Sequence, residues 1–282
     1  MRLITYRDRD RSMKPGVLLG EEIVEISDQV DSIKSLIEGG PGTLARLRNS
    51  LQGKTHRIPL ARVELLAPLQ NPPRIFCLGL AYRDHAIETH QEIPKVPTIF
   101  LKLTSALNGP RSAVVLPKRT QQPDYEAEFA FVIGTGGKNI SPDSWEEHVF
   151  GYTIMNDVSA RDVQMATSQW SLGKSFDTFA PLGPAIVTKD EVPDPHTLDI
   201  KLTIGGEVLQ HSNTRELIFR VPELIAHISA ITSLEPGDII STGTPAGVGL
   251  GRTPHRWLRP GETIVTEVEG LGQLVNSVVA ES

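Results

Sequence analysis

Cysteine occurs once in the 282 residues, at Cys77. That excludes an internal disulfide and any zinc site built on paired thiolates, and it fits a reducing compartment. Long apolar runs are also missing. No stretch approaches the roughly 20 residues that a membrane-crossing helix needs, and the first residues, MRLITYRDRD, hold no apolar segment long enough for a secretory signal. These absences predict a cytoplasmic protein with no membrane partner. Excess positive charge is lacking too: the formal charge is -6 and the pI about 5.8. There is no basic field to hold nucleic acid, so a small molecule is the expected partner.

What is present is an ordinary globular composition, 39% hydrophobic and 22% charged, which argues against disorder. With 24 Gly and 21 Pro, turns should be frequent. The segments LITYR, GVLLG and EIVEI are short and β-rich, and SIKSLIEGG and TLARLRNSL show helical spacing. RDRDR at 7–11 reads as a solvated turn. After NPP at 71–73 the texture changes. Apolar runs of strand length (RIFCLGL, PTIFLK, AVVLP, EFAFVIG, FGYTIMN, GPAIVT, LDIKLTI, GDIISTG, ETIVTEV) then recur to the C-terminus, with SWEEHVF and RVPELIAHISAIT as the clearest helices. The expected organisation is a small N-terminal α+β domain over 1–70 and a β-dominated domain over 71–282, an α+β protein overall.

Within DYEAEFAFVIG at 124–134, Glu126 and Glu128 point to one face of a strand, about 7 Å apart, while Tyr125, Ala127 and Phe129 point to the other. Two carboxylates so placed repel. Either that face looks into water or something cationic holds it. A third acid, Asp157, falls where the strand in GYTIMNDVSARDVQ should end. Glu126, Glu128 and Asp157 together would be three hard oxygen ligands, suited to Mg²⁺, Mn²⁺ or Ca²⁺ and not to Zn²⁺. Arg161, Gln164 and Lys174 follow, donors of the kind a bound carboxylate or enolate wants. Upstream, His85 and Glu88 lie three apart on one helical face, an imidazole with a carboxylate to fix its tautomer.

Four motifs in this order, D-Y-E-x-E, G-Y-T-x-x-N-D-V-S-A-R-D-x-Q, G-K-S-F-D-T-F-x-P-L-G-P and S-T-G-T-P-x-G-V-G, resemble the fumarylacetoacetate hydrolase family over about residues 72–280, most closely its compact members with a short N-terminal domain. The resemblance implies a mixed β-roll, a divalent metal (Mg²⁺ or Mn²⁺) and a homodimer. By motif position it implies metal ligands at Glu126, Glu128 and Asp157 and a water-activating dyad at His85 and Glu88. It also implies a catalytic and substrate-holding Lys174, with substrate contacts at Arg161, Gln164 and Thr244. Two positions depart from the pattern. Ala81 stands where many members have Asn, which bears on the loop carrying His85, and Leu78 stands where the larger members carry a fourth acidic ligand.

The resemblance implies a 2-oxo acid substrate and leads to metal-dependent hydrolysis of a C–C bond in a 1,3-diketo acid, such as an acylpyruvate or fumarylpyruvate. The alternative is a lyase or isomerase of a related 2-oxo acid, for instance oxaloacetate decarboxylation or isomerisation of a hydroxydienoate. A non-enzymatic metal-bound sensor is a third reading, against which the intact set of His85, Glu88 and Lys174 argues. Two glycine-rich stretches read as turns and not as nucleotide loops: GTGGK at 134–138 lacks Walker spacing, and GTPAGVG at 243–249 lacks both dinucleotide spacing and a following helix.

Overall fold

The computed structural model describes residues 1–8 and 11–282. Arg9 and Asp10, in the charged run at 7–11, lie outside the described residues. The architecture is β-dominated, as expected, and its sheets are mixed.

A 12-stranded sheet forms the backbone of the molecule. Along it run Ile58–Pro59, Glu22–Glu25, Met13–Leu19, Arg2–Arg7, Ala180–Thr188, Val149–Asn156, Ala127–Ile133, Ile239–Ser241, Ile75–Gly79 and Thr98–Lys102. Most neighbours are antiparallel, but Ile239–Ser241 runs parallel to Ile75–Gly79. The N-terminal strands thus continue the sheet, joined where Arg2 pairs with Val187 and Leu3 with Ile186. A second, five-stranded sheet carries Glu207–Asn213, Asp199–Ile204, Thr263–Val268, Gly272–Ala280 and Val114–Leu116.

Alternation along Ala127–Ile133 explains how the layers meet, since every residue of this strand is buried. Phe129, Phe131 and Ile133 join the core shared with Ile200, Leu202, Ile264 and Leu274 of the second sheet. Ala130 and Val132 face the opposite way, into a core with Ile33, Leu36, Ile37 and Leu47 of the helices Ile33–Glu38 and Gly40–Leu51. A central strand covered on both faces reads as continuous apolar sequence. Glu126 and Glu128 have the same parity as Ala130 and Val132, so they project on the second face at the start of the strand.

The helix Val221–Ile231 follows from its own pattern. Pro222 sits in the first turn, and the buried residues Val221, Leu224, Ile225 and Ile228 repeat at i, i+3, i+4 and i+7. SWEEHVF is only partly helical: the helix is Trp145–His148, and Val149 and Phe150 already belong to the next strand.

Candidate active site

Antiparallel pairing brings the three acids together. Ala127 lies opposite Asn156 and Glu128 opposite Met155, so the start of one strand meets the end of its neighbour. The Asp157 N–H donates to the Glu126 carbonyl at 2.9 Å, closing that corner. One carboxylate oxygen from each of Glu126, Glu128 and Asp157 then lies within 4.8 Å of the others, and all three side chains are buried.

Their surroundings answer the electrostatic question raised by the sequence. Lys174 Nζ donates to Glu126 at 2.6 Å and to Asp157 at 2.8 Å, and Lys102 Nζ donates to Asp157 at 2.5 Å. Arg161 is paired with Glu126 at 2.5 Å and with Asp124 at 2.8 Å. Burial alone would raise the Glu126 pKa, but Arg161 and Lys174 hold it below the usual carboxylate range. Among the described residues, Glu128 has no such cation in contact. Burial, then repulsion from Asp157 and Glu126, pushes its pKa well up, although Ser241 and the Gly243 N–H donate to its Oε2. Its Oε1 is buried without a hydrogen-bond partner.

That orphaned oxygen fits a metal ligand. Among the described residues, four acids (Asp124, Glu126, Glu128, Asp157) meet three cations (Lys102, Arg161, Lys174), and ionising Glu128 as the fourth acid would leave one negative charge in excess. A divalent cation among the triad would satisfy Glu128 Oε1 and reverse the local sign, so the same place would attract an anionic substrate.

Through Glu126, Arg161 and Lys174 this cluster reaches a cleft of about 220 Å³ whose walls also include His85, Gln164 and Thr244, with Phe100, Met165 and Trp170. His85 Nδ1 stands 3.0 Å from Glu88 Oε2, in the helix Arg83–Glu88, whose first turn is fixed by the His85 N–H donating to Asp84 at 2.7 Å. Glu88 Oε1 accepts from the Gly247 N–H at 2.8 Å. Arg161 Nη1 donates to Gln164 at 3.0 Å, and Thr244 accepts from Gln210 at 2.8 Å. Lys174 Nζ also lies 5.1 Å from the Phe100 ring centroid. A larger cavity, of about 280 Å³, lies beside the helix Gly40–Leu51. The acidic triad is not there, so size does not decide the site.

Every residue singled out in the sequence therefore meets in one region. Two others emerge only from the structure. Lys102 is buried at the end of Thr98–Lys102 and neutralises Asp157, while Asp124 holds Arg161. At the first departure, Ala81 is buried and the loop is carried by backbone, its carbonyl accepting from the Ile218 N–H at 2.8 Å. At the second, Leu78 lines the cleft without offering a side-chain oxygen. GTPAGVG is an irregular loop with only the 3-10 turn Gly249–Gly251 after it.

Comparison with known proteins agrees with the geometry. The model of the fumarylacetoacetate (FAA) hydrolase C-terminal domain matches residues 74–279. The mitochondrial oxaloacetate tautomerase of Xenopus laevis is 41% identical over 288 residues, 99% of this chain and 90% of that protein. A mitochondrial oxaloacetate tautomerase of Bos taurus is 46% identical over 245 residues, 86% of this chain and 78% of its own length. The maleylpyruvate hydrolase of Sphingobium sp. SYK-6, solved with manganese(II) and pyruvate, superposes with a TM-score of 0.86 at 32% identity, covering 100% of both chains. The expectation of a cytoplasmic protein is corrected here, because the similar tautomerases are named as mitochondrial. A lone cysteine and a mildly acidic balance fit any reducing aqueous compartment, so composition does not select the cytoplasm.

Proposed function

Because the chain belongs to the fumarylacetoacetate hydrolase family, we propose that it is a divalent-metal-dependent enzyme that moves a proton at C3 of a 2-oxo acid, interconverting keto and enol forms of oxaloacetate or a close analogue. The observation that carries this reading is one cleft lined by both His85, backed by Glu88, and Glu126, the member of the acidic triad that reaches its wall. Similarity to oxaloacetate tautomerases over nearly the whole chain supports it.

Glu126, Glu128 and Asp157 would hold the metal, Mg²⁺ or Mn²⁺ by the preference of hard oxygen donors. When bound, the metal would draw electrons from the 2-oxo group and so favour negative charge on that oxygen. Arg161 and Gln164 orient the substrate carboxylate, and Lys174 offers a cation to the developing charge. Thr244 bounds the same pocket. His85 takes a proton from C3 as the C2–C3 double bond forms, the imidazolium then gives that proton to the C2 oxygen, directly or through water, to complete the enol, and the reverse sequence restores the keto form. Glu88 holds the imidazole in the tautomer whose Nε2 is free to do so.

A second reading keeps the same base. His85 removes a proton from water, the hydroxide adds to a distal carbonyl, and the C3–C4 bond breaks with its electron pair passing toward C2. Similarity to the maleylpyruvate hydrolase favours this hydrolysis of a 1,3-diketo acid. A panel of oxaloacetate, acylpyruvates and fumarylpyruvate, assayed with Mg²⁺ or Mn²⁺ and with products identified, separates the two. Keto–enol exchange without C–C cleavage supports the first. Cleavage of the diketo acids with no effect on oxaloacetate exchange replaces it with the second.

The working organisation places all nine site residues in 71–282 and gives 1–70 a supporting role. We also propose a homodimer. Leu101 and Leu103, on and just after the edge strand Thr98–Lys102, are 43% and 51% exposed, and Leu172 and Ile87 nearby in the site region are each 73% exposed. Apolar exposure of this kind beside an unpaired strand edge suits burial against a second copy. Light scattering at micromolar concentration should return twice the 30.9 kDa chain mass, and a monomer would refute the dimer.

Lys102→Met provides a further check on the charge arrangement. Removing one of the two buried cations on Asp157 leaves Lys174 as its sole cationic partner among the described residues, so the metal-free protein should lose stability, by up to the roughly 3–5 kcal/mol that breaking a buried ion pair costs. Chemical denaturation under chelating conditions measures it, and an unchanged midpoint would contradict the role given to Lys102.

A further inference from the structure

Glu88 stands between two partners, accepting from the Gly247 N–H through Oε1 and facing His85 Nδ1 through Oε2. Its carboxylate also rests on Gly251. A β-carbon at 251 would stand 2.6 Å from Glu88 Cδ, 2.8 Å from Oε1 and 3.0 Å from Oε2. Gly251 is not among the residues of positive φ, so backbone conformation does not demand glycine there. A methyl group there would instead push the Glu88 carboxylate aside.

The loop that supplies these contacts is itself pinned. The carboxylate of Asp124, wholly buried, accepts from the N–H groups of Gly249 at 2.7 Å and Leu250 at 3.0 Å, and from Arg161 Nε at 2.8 Å. The arginine aimed at the substrate and the loop that holds the base therefore share one anchor. A chain of direct contacts runs from Arg161 through Asp124 and the loop 247–251 to Glu88 and His85.

We propose that Gly251 and Asp124 are positioning residues. The missing side chain at 251, with the Gly247 N–H, sets the Glu88 carboxylate against His85, and Asp124 keeps that loop in register with Arg161. The inference rests on the reading of His85 as the base.

The test compares Gly251→Ala, Glu88→Gln, their double variant, His85→Ala and Asp124→Asn as metal-loaded proteins, with metal content and thermal midpoint recorded for each. Gly251 is exposed on its other side, so a methyl group there should not hinder folding. Gly251→Ala should lower kcat by about 10- to 100-fold, the size expected for a displacement near 1 Å at a catalytic group, with KM and metal content unchanged. Added to Glu88→Gln it should cause little further loss, because contacting groups that act as one unit are not additive. Asp124→Asn reaches the same loop from the other end and should lower kcat and raise KM together, since Arg161 loosens as well. Wild-type kcat in folded, metal-loaded Gly251→Ala, or equal fold-losses in the wild-type and Glu88→Gln backgrounds, would overturn the positioning role while losses in His85→Ala and Glu88→Gln still upheld the base. Full activity in those two variants would overturn both.

Discussion

His85→Ala is expected to slow keto–enol exchange of the 2-oxo acid by about 10² to 10⁴, the usual worth of a positioned general base. Metal content should stay at the wild-type level, because His85 contributes nothing to the triad and contacts Glu88 instead. Glu88→Gln should slow it less, since the imidazole remains while the charge that fixes its tautomer is gone. Hydrolysis of an acylpyruvate, if present, should fall with exchange, because the same nitrogen would have to deprotonate water. Loss of carbon dioxide from oxaloacetate needs no base at C3 and should survive in the variant. All three rates measured on one preparation with verified metal would separate these steps. Unchanged exchange in metal-loaded His85→Ala would remove the base from the mechanism.

Glu128→Gln is the second substitution expected to have a large effect, and its sign differs between two measurements. Without metal, the variant should be at least as stable as the wild type, because a buried carboxylate crowded by Asp157 and Glu126 is exchanged for a neutral amide. With metal it should bind far more weakly, by more than the 10- to 100-fold that loss of an outer-shell partner typically causes. Wild-type protein should therefore gain about 2.7 kcal/mol in a metal concentration 100 times its dissociation constant, while the variant at that concentration gains little. Thermal unfolding with and without a chelator reads both effects. Equal stabilisation of the two proteins by Mn²⁺ would remove Glu128 from the ligand set.

The acidic triad was legible because it depends on local rules. Alternation placed Glu126 and Glu128 on one face, and the end of the apolar run in GYTIMND marked Asp157 as a strand-end residue. His85 and Glu88 were legible from helical spacing in the same way. Lys102 was not: a lysine closing PTIFLK reads as the exposed end of a strand, and only pairing with Ile75 inside the sheet places it beside Asp157. The helices Arg161–Gln164 and Ser171–Lys174, four residues each, are too short to show a period. The joining of Arg2–Arg7 to Ala180–Thr188 escaped for a related reason, since strand composition does not name a partner so far along the chain. In SWEEHVF the apolar spacing continued past the point where Val149 turns into the sheet, so tertiary pairing overrode the local pattern.

The measurement that bears most directly on the proposed chemistry is the decay of the enol absorbance of oxaloacetate, followed with one enzyme preparation before chelation, after chelation, and after Mn²⁺ is restored. The triad and the His85–Glu88 pair predict fast decay, its fall toward the uncatalysed rate when metal is removed, and recovery on restoration, with no recovery in Glu128→Gln. Decay as fast in the verified metal-free protein as in the loaded one would contradict the account.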